Sequence, residues 1–246
     1  MAARVVVVGA AGKMGKAVQA AAVGREDVTI AAAVGQGGDV AAALAHADVY
    51  IDFSTPAATL AAARAAITAK RAAIIGTTGL GADAEPLFGE LAKVAPVVVA
   101  ANFSLGVNLM LGLVRQAARA LGPAWDAEVV ETHHKAKRDA PSGTALAIAR
   151  SIAAGHGANY DAVKRHTRDG DVGPRPRGEI GVATLRGGDV VGEHVAYFFG
   201  EHERIEIAHR ATSRSIFATG ALVAAAWVVG KPPGRYTMLD VLGLPS

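Results

Sequence analysis

The chain has no cysteine. That excludes disulfides, cysteine-ligated zinc, iron–sulfur clusters and a cysteine nucleophile. A reducing compartment suits such a chain, and the cytoplasm is the expected location. Aromatic residues are scarce at 5%, and the lysines and arginines form no long block. A nucleic-acid groove needs both a basic stripe and stacking platforms, so no nucleic-acid partner is expected. No apolar run reaches the ~18 residues that a spanning helix requires. The closest, residues 221–229 between Gly220 and Gly230, reads as a buried helix. The opening run MAARVVVVGAAG stops at glycine, too early for the core of a secretory signal; no membrane partner is expected. What remains is a mildly basic chain of 246 residues with a formal charge of +3. It is long enough for one large or two small domains and a substantial core, and it suits small anionic ligands.

Strand and helix patterns alternate over the first hundred residues. RVVVV (4–8), 28–34, 49–53, 72–75 and 97–100 read as strands; 13–23, 56–69 and 86–94 read as helices. Ser54 or Thr55 is the expected cap of the second helix, with Pro56 in its first turn. Such alternation predicts a parallel sheet covered on both faces. After Asn102 the character changes. A long helix (105–121), a strand (127–132) and a helix (144–154) precede an exposed loop rich in charge, glycine and proline (156–178). Three strands follow, 180–186, 190–199 and 204–211, with Gly187-Gly188-Asp189 as a hairpin turn between the first two, and a helix at 215–229. The fold class is α/β: a Rossmann-like dinucleotide-binding domain (1–104 plus 214–246) and a second α+β domain with an open mixed sheet (105–213).

Gly9-Ala10-Ala11-Gly12-Lys13-Met14-Gly15 follows the first strand and opens a helix. The pattern places a tight turn at Gly9, close backbone approach at Gly12 and helix–strand packing at Gly15. Backbone N–H groups and the helix dipole then face a pyrophosphate. The acidic residue that binds ribose hydroxyls in NAD sites is absent: the second strand ends Gly35-Gln36-Gly37-Gly38, and Asp39 lies past the glycines. Lys13 and Lys16 lean the reading toward NADPH, with NADH left open. Two more strand ends, Gly76-Thr77-Thr78 and Ala100-Ala101-Asn102-Phe103, lie where cofactors collect. Gly76 allows backbone approach, and Phe103 offers a flat face to a nicotinamide.

ETHHKAKRDAPSGTA (131–145) holds the densest chemistry. His133 and His134 end a strand, Lys137 follows, and the helix after Pro141 presents backbone N–H groups from Gly143 and Thr144. This constellation suits a carboxylate, or two. Glu131 and Asp139 can orient the cations. A metal site built from the two histidines, Glu131 and Asp139 is the rival, disfavoured because Lys137 and Arg138 repel a divalent ion; no metal is expected. A histidine titrating near neutrality is fit to donate or accept a proton. Together the halves predict an oxidoreductase acting on a small carboxylate.

VGAAGKMG, IDFSTP, IGTTG, AANFSLGVN, ETHHKAKRDAPSGTA, GEIGVATLRGGDVVGEH and the HRATSR segment together resemble the bacterial 4-hydroxy-tetrahydrodipicolinate reductase (dihydrodipicolinate reductase) family, over essentially the whole chain. The resemblance implies reduction of a cyclic imine–enamine dicarboxylate by NADH or NADPH in lysine and diaminopimelate synthesis. It makes His133 the proton donor or acceptor and Lys137 a second proton donor or charge stabiliser. His134, Gly143 and Thr144 would bind the substrate carboxylates, and Gly9, Ala10, Ala11, Gly12, Lys13, Met14, Gly76, Thr77, Thr78, Ala100, Ala101, Asn102 and Phe103 the cofactor. It also implies a role for Arg214 at the domain junction and a homotetramer built through the second sheet. The chain departs from the family at Gly35, where the usual acidic residue falls.

Three alternatives stand beside this one. Another small-carboxylate dehydrogenase is one, although the phosphorylating semialdehyde type needs a cysteine. A catalytically silent dinucleotide sensor or scaffold would keep the glycine loop but need not keep His133 and Lys137. A metal-dependent lyase would use His133 and His134.

Overall fold

The structure, a computed structural model, describes residues 1–245. Its elements run β1 (Ala3–Val8), α1 (Lys13–Ala22), β2 (Val28–Val34), α2 (Val40–Leu44), β3 (Val49–Asp52), α3 (Pro56–Ala69), β4 (Ala72–Ile75), α4 (Ala84–Val94) and β5 (Pro96–Val99). Then come α5 (Leu105–Leu121), β6 (Asp126–His133), α6 (Gly143–Gly155), α7 (Tyr160–Val163), β7 (Lys164–Arg165), β8 (Ile180–Arg186), β9 (Gly192–Phe199) and β10 (Arg204–Ala211). The chain closes with α8 (Ser215–Val228), β11 (Gly234–Tyr236) and α9 (Met238–Val241). Two compact units result: Met1–Leu105 with the chain from Ser215 onward, and Gly106–Arg214.

The first unit holds a six-stranded sheet in the order β11-β5-β4-β3-β1-β2, with every pairing parallel. Its central strands β1, β3 and β4 are apolar and buried on both faces, as a sheet wrapped by helices requires. Val5, Val7, Ile51 and Ile74 face α1 and α8; Val6, Tyr50, Ala73 and Ile75 face α3 and α4. The small residues Ala62, Ala63 and Ala66 let α3 lie close to the sheet. Thr55 caps α3 by accepting from the Ala58 amide, with Pro56 in the first turn. The parallel sheet expected from the alternation of patterns is present. The chain leaves β1 to one side for β2 and returns to the other for β3, so the crevice at this switch point opens at the carboxyl end of β1.

The second unit holds a five-stranded mixed sheet in the order β10-β9-β6-β8-β7. Its core forms between α5, α6 and one sheet face, from Met110, Val114, Ile148, Ile152, Val129 and Phe198. The expected hairpin at Gly187-Gly188-Asp189 is not formed. β6 lies between β8 and β9, parallel to the first and antiparallel to the second. The turn instead packs on the end of β6: the Lys135 amide donates to the Gly188 carbonyl and the His134 amide to the Val190 carbonyl. A glycine turn fixes only the local reversal; which strands pair is decided by burial of β6, whose alternate residues carry the core. Residues 156–178, expected as loop, include α7 and β7. The short α2, β11 and α9 had no strong sequence pattern. Asp39, set aside as a ribose ligand, is the N-cap of α2, accepting from the Ala42 amide at 3.0 Å.

Candidate active site

In the first unit the glycine loop is fixed by hydrogen bonds to its neighbour strand. The Gly9 and Ala10 amides donate to the Val34 carbonyl at 3.0 and 3.1 Å, and the Gly12 amide donates to the Gly9 carbonyl at 3.0 Å. Gly9 has φ of +77°, which an L side chain rarely adopts. A Cβ on Gly15 would lie 2.3 Å from the Gly9 oxygen, so this glycine is required for packing; on Gly12 the nearest atom would be 3.2 Å away. The N-cap of α1 is Gly12 itself, with no side chain to bond the first-turn amides. Those amides point out at the switch point, as an anion-binding helix start demands.

A cleft of about 600 Å³ opens there, lined by Gly9, Ala11, Gly12, Gly35–Gly38, Ser54, Thr55 and Ala58 among others. No charged side chain lines it. These features fit a dinucleotide: bare backbone donors, absent Cβ atoms, and room for an adenosine between the ends of β1, β2 and β3. Ser54 and Thr55 were expected only as a helix cap, although IDFSTP already marked the strand end.

Other expected cofactor residues stand differently. Ala10 is buried and Met14 packs on the core, while Lys13 and Lys16 are exposed outside the cleft lining. Gly76, Thr77 and Thr78 form the turn after β4, also outside the lining. A Cβ on Gly76 would lie 2.1 Å from the Phe53 ring, so here glycine makes room for an aromatic side chain. Thr77 Oγ1 accepts from the Ser54 amide at 3.0 Å. Ala100 is tied by its amide to the Ile75 carbonyl, Ala101 is exposed, and Asn102 Oδ1 accepts from the Ser104 amide. Phe103 does not offer its ring. It is 1% exposed and packs edge-on against Phe53, centroids 5.7 Å apart. Its apolar ring belongs to the core between the sheet and α8, and only its backbone can serve a ligand. Beneath the same edge, Asp52 is fully buried, Oδ1 accepting from the Ser54 amide at 2.9 Å. Burial pushes its carboxyl above the usual range, against the hydrogen bond from Ser54.

In the second unit, the two-residue period of β6 puts Glu131 and His133 on one face. His133 Nδ1 meets Glu131 Oε2 at 2.5 Å. Glu131 is fully buried. It also accepts from the Ser142 amide, from Thr184 Oγ1, and from both terminal nitrogens of Arg186 at 2.9 Å. Burial opposes ionisation of Glu131, yet the bonds from Arg186, His133 and Ser142 hold its pKa below the usual range. Burial also draws the His133 imidazole below its ordinary value; Glu131 opposes this, while Lys137 and Arg186 add to it.

Beyond His133 the chain turns. The Lys137 amide donates to the His134 carbonyl, and Lys137 Nζ pairs with Asp139 at 2.9 Å. Arg214 Nη2 lies 3.3 Å from His134 Nε2. Lys135 and Arg138 are exposed. Ser142 caps α6 by accepting from the Ala145 amide, leaving Gly143 and Thr144 as the first residues of that helix. Its Oγ also meets His194 Nε2 at 3.1 Å. The His194 ring stands edge-on to His133, centroids 5.2 Å apart. Burial, with the charge of His133 adding to it, pushes His194 down to about 4, so it is neutral at working pH. Arg186 and His194 were not singled out. Both lie in GEIGVATLRGGDVVGEH, where only strand pattern was read. No group of three or more histidine, aspartate or glutamate side chains suited to a metal occurs among the described residues.

Residues 3–103 match the family described as "Dihydrodipicolinate reductase, N-terminus" and residues 106–242 the one described as "Dihydrodipicolinate reductase, C-terminus". A 4-hydroxy-tetrahydrodipicolinate reductase of Anaeromyxobacter dehalogenans is 48% identical over 264 residues, covering 98% of each chain. One from Zymomonas mobilis is 47% identical over 245 residues, covering 97% of this chain and 96% of its own. Among solved structures, dipicolinate-bound dihydrodipicolinate reductase from Paenisporosarcina sp. TG-14 shares the fold, with a TM-score of 0.81 at 22% identity over 98% of this chain and 99% of that one. A probable dehydrogenase from Thermotoga maritima shares it more loosely, TM-score 0.61 at 12% identity over 97% and 92%. The chain belongs to the dihydrodipicolinate reductase family, whose curated members are oxidoreductases named 4-hydroxy-tetrahydrodipicolinate reductase.

Proposed function

We propose that the chain reduces 4-hydroxy-tetrahydrodipicolinate to tetrahydrodipicolinate with NADPH or NADH, a step of lysine and diaminopimelate synthesis in the cytoplasm. The observation that carries the reading is His133, held through Nδ1 by an ionised buried carboxylate at the head of a turn that supplies Lys137 and the start of α6.

Loss of the 4-hydroxyl as water leaves a conjugated imine, to which a reduced nicotinamide, when bound, would supply a hydride. Gly9, Ala11 and Gly12 offer backbone to its phosphates, and Gly76–Thr78 and the backbone of 100–103 extend the same sheet edge. The cleft carries neither a carboxylate to repel a 2′-phosphate nor a cation to select one. It therefore opposes neither cofactor, and calorimetric affinities for NADPH and NADH are the test.

A dicarboxylate needs compensating positive charge. Lys137 and the N–H groups of Gly143 and Thr144 supply it, strengthened by the helix dipole, and His134 adds a polar ring beside them. His133 is poor in protons while its site is empty of anion, because burial disfavours the imidazolium. A dianion beside it favours the charged form, so the proton is taken up with the substrate. The proton then passes from Nε2 to the carbon left electron-rich by hydride addition. Lys137 steadies the charge in transit.

The experiment is consumption of NAD(P)H in the presence of the freshly made product of dihydrodipicolinate synthase. No turnover with either cofactor sinks the reading. H133A and K137A lower kcat by on the order of 100-fold or more and leave NAD(P)H affinity within about twofold; wild-type rates in both would refute the roles. Activity that survives exhaustive chelation removes the lyase alternative. A homotetramer through the open face of the second sheet fits the exposure there of Leu185 and of Phe199, on which Tyr197 stacks. Mass photometry tests it.

A further inference from the structure

Glu131 has no step in the reaction above, yet two oxygens of one fully buried side chain hold four other residues. Oε2 faces His133 and Arg186. Oε1 faces the Ser142 amide, Thr184 and the second nitrogen of Arg186. We propose that Glu131 is a positioning residue that sets the tautomer of His133, hydrogen on Nδ1 and Nε2 turned to substrate, and ties that imidazole to the start of the carboxylate-receiving helix. The inference rests on the reading of His133 as proton donor.

An ionised carboxylate can only accept hydrogen bonds. With Glu131 ionised, the 2.5 Å contact requires a hydrogen on Nδ1. Arg186 enforces the ionised state by a two-pronged pair, each nitrogen 2.9 Å from its oxygen, the strongest geometry for such a pair. Nε2 is then the only ring nitrogen able to exchange a proton with a ligand. Bare backbone keeps that side open: a Cβ on Gly192 would lie 3.0 Å from Nε2. The charged and titratable groups facing His133 are Glu131, Lys137, Arg186 and His194. Of these, Glu131 alone carries negative charge. It therefore stabilises the imidazolium in transit, while its other oxygen holds the Ser142 amide one residue ahead of α6. Loss of register at β6 would displace proton donor and anion receptor together.

A purely structural ion pair would use the same contacts, so the test must read something that structure alone does not move. Nitrogen-15 NMR of histidine-labelled protein reports the His133 tautomer directly. The wild type is expected to carry its hydrogen on Nδ1; a hydrogen on Nε2 overturns the proposal whatever the variants do. E131Q keeps an acceptor for the Ser142 amide but loses the charge. We expect kcat down on the order of 100-fold with KM within about threefold. The basic limb of the kcat/KM profile should move about one unit lower, because the imidazolium loses its counter-charge. E131D, which keeps the charge, should recover part of kcat. Unchanged kcat, pH profile and tautomer in E131Q would reduce Glu131 to a structural pair. If instead H133A keeps wild-type turnover, the reading of His133 fails even where the tautomer result stands.

Discussion

Two glycines three residues apart, one capping α1 and one inside it, should respond differently to a single added methyl. In Gly15→Ala the new Cβ would sit 2.3 Å from the Gly9 oxygen and 2.7 Å from the Ala10 Cα. Ordinary contact is over an ångström longer, and both obstacles are backbone, so neither can rotate away. Overpacking of this kind costs about 3 kcal/mol, the upper end of the usual range. Replacing glycine inside a helix returns about 1 kcal/mol, which leaves a net loss of about 2 kcal/mol, or roughly 4–8 °C in Tm for a chain of this size. In Gly12→Ala the nearest atom, the Gly9 oxygen, is 3.2 Å away, a tight contact that a shift of a few tenths of an ångström relieves, and φ is −72°, which alanine accepts. That variant should lose no more than about 1 kcal/mol, less than Gly15→Ala. Yet its methyl would stand on the lining of the cleft, where a phosphate must approach the amides, and affinity for NADPH should fall at least about tenfold. Scanning calorimetry and titration calorimetry read the two effects separately. Wild-type affinity in Gly12→Ala would refute the phosphate site, and a wild-type Tm in Gly15→Ala would refute the packing role.

The buried polar groups give two more tests. His194 is pushed down to about 4 when folded and reverts to about 6.5 when unfolded. Below that value the unfolded chain takes up a proton that the folded chain refuses, so stability is lost as pH falls from about 6.5 toward 4. In urea titrations His194 should account for about 2 kcal/mol of the stability lost between pH 7.5 and about pH 5, beside the shares of His133, His156 and His209, which burial also draws down; His194→Gln should shrink the loss by about that amount, and an equal loss in the variant excludes His194 as a source. Asp52 runs the other way. Its folded pKa is raised by burial, so the ionised carboxylate costs stability at neutral pH and the cost fades as pH falls through the raised value. Asp52→Asn keeps the acceptor for Ser54 and should equal or exceed wild type at about pH 7.5, with a margin that narrows toward pH 4. A loss above about 1 kcal/mol at neutral pH would contradict this.

Features that depend on neighbours in sequence were legible in the sequence. The strand–turn–helix course at Gly9–Gly15, the Thr55–Pro56 start of α3 and a helix start after Pro141 are local devices, and each is formed. What escaped notice depends on residues far along the chain. Arg186 reaches Glu131 across 55 residues, and His194 reaches Ser142 across 52. Neither pair can be inferred without knowing that β6 lies between β8 and β9, and the glycine turn after β8 pointed to the wrong partner. Phe103 was misread for a related reason. An aromatic at a sheet edge suits a cofactor or a core equally well, and the choice was made by α8, whose Gly220 leaves space for the Phe103 carbonyl.

That helix has one more consequence, for the order in which the protein is made. One face of the first sheet, with Val5, Val7, Val49, Ile51 and Ile74, is covered by Ala218, Ala221, Leu222, Ala225 and Val228 of α8. The sheet's own strands β1 to β5 leave the ribosome first, and the whole of Gly106–Arg214 follows before α8. At ordinary rates of synthesis that interval is on the order of ten seconds. Throughout it, the part of that face not covered by α1 stands bare on a half-finished domain. Substitutions that weaken α8 should therefore reduce the yield of protein in the cell well before they change turnover per folded molecule.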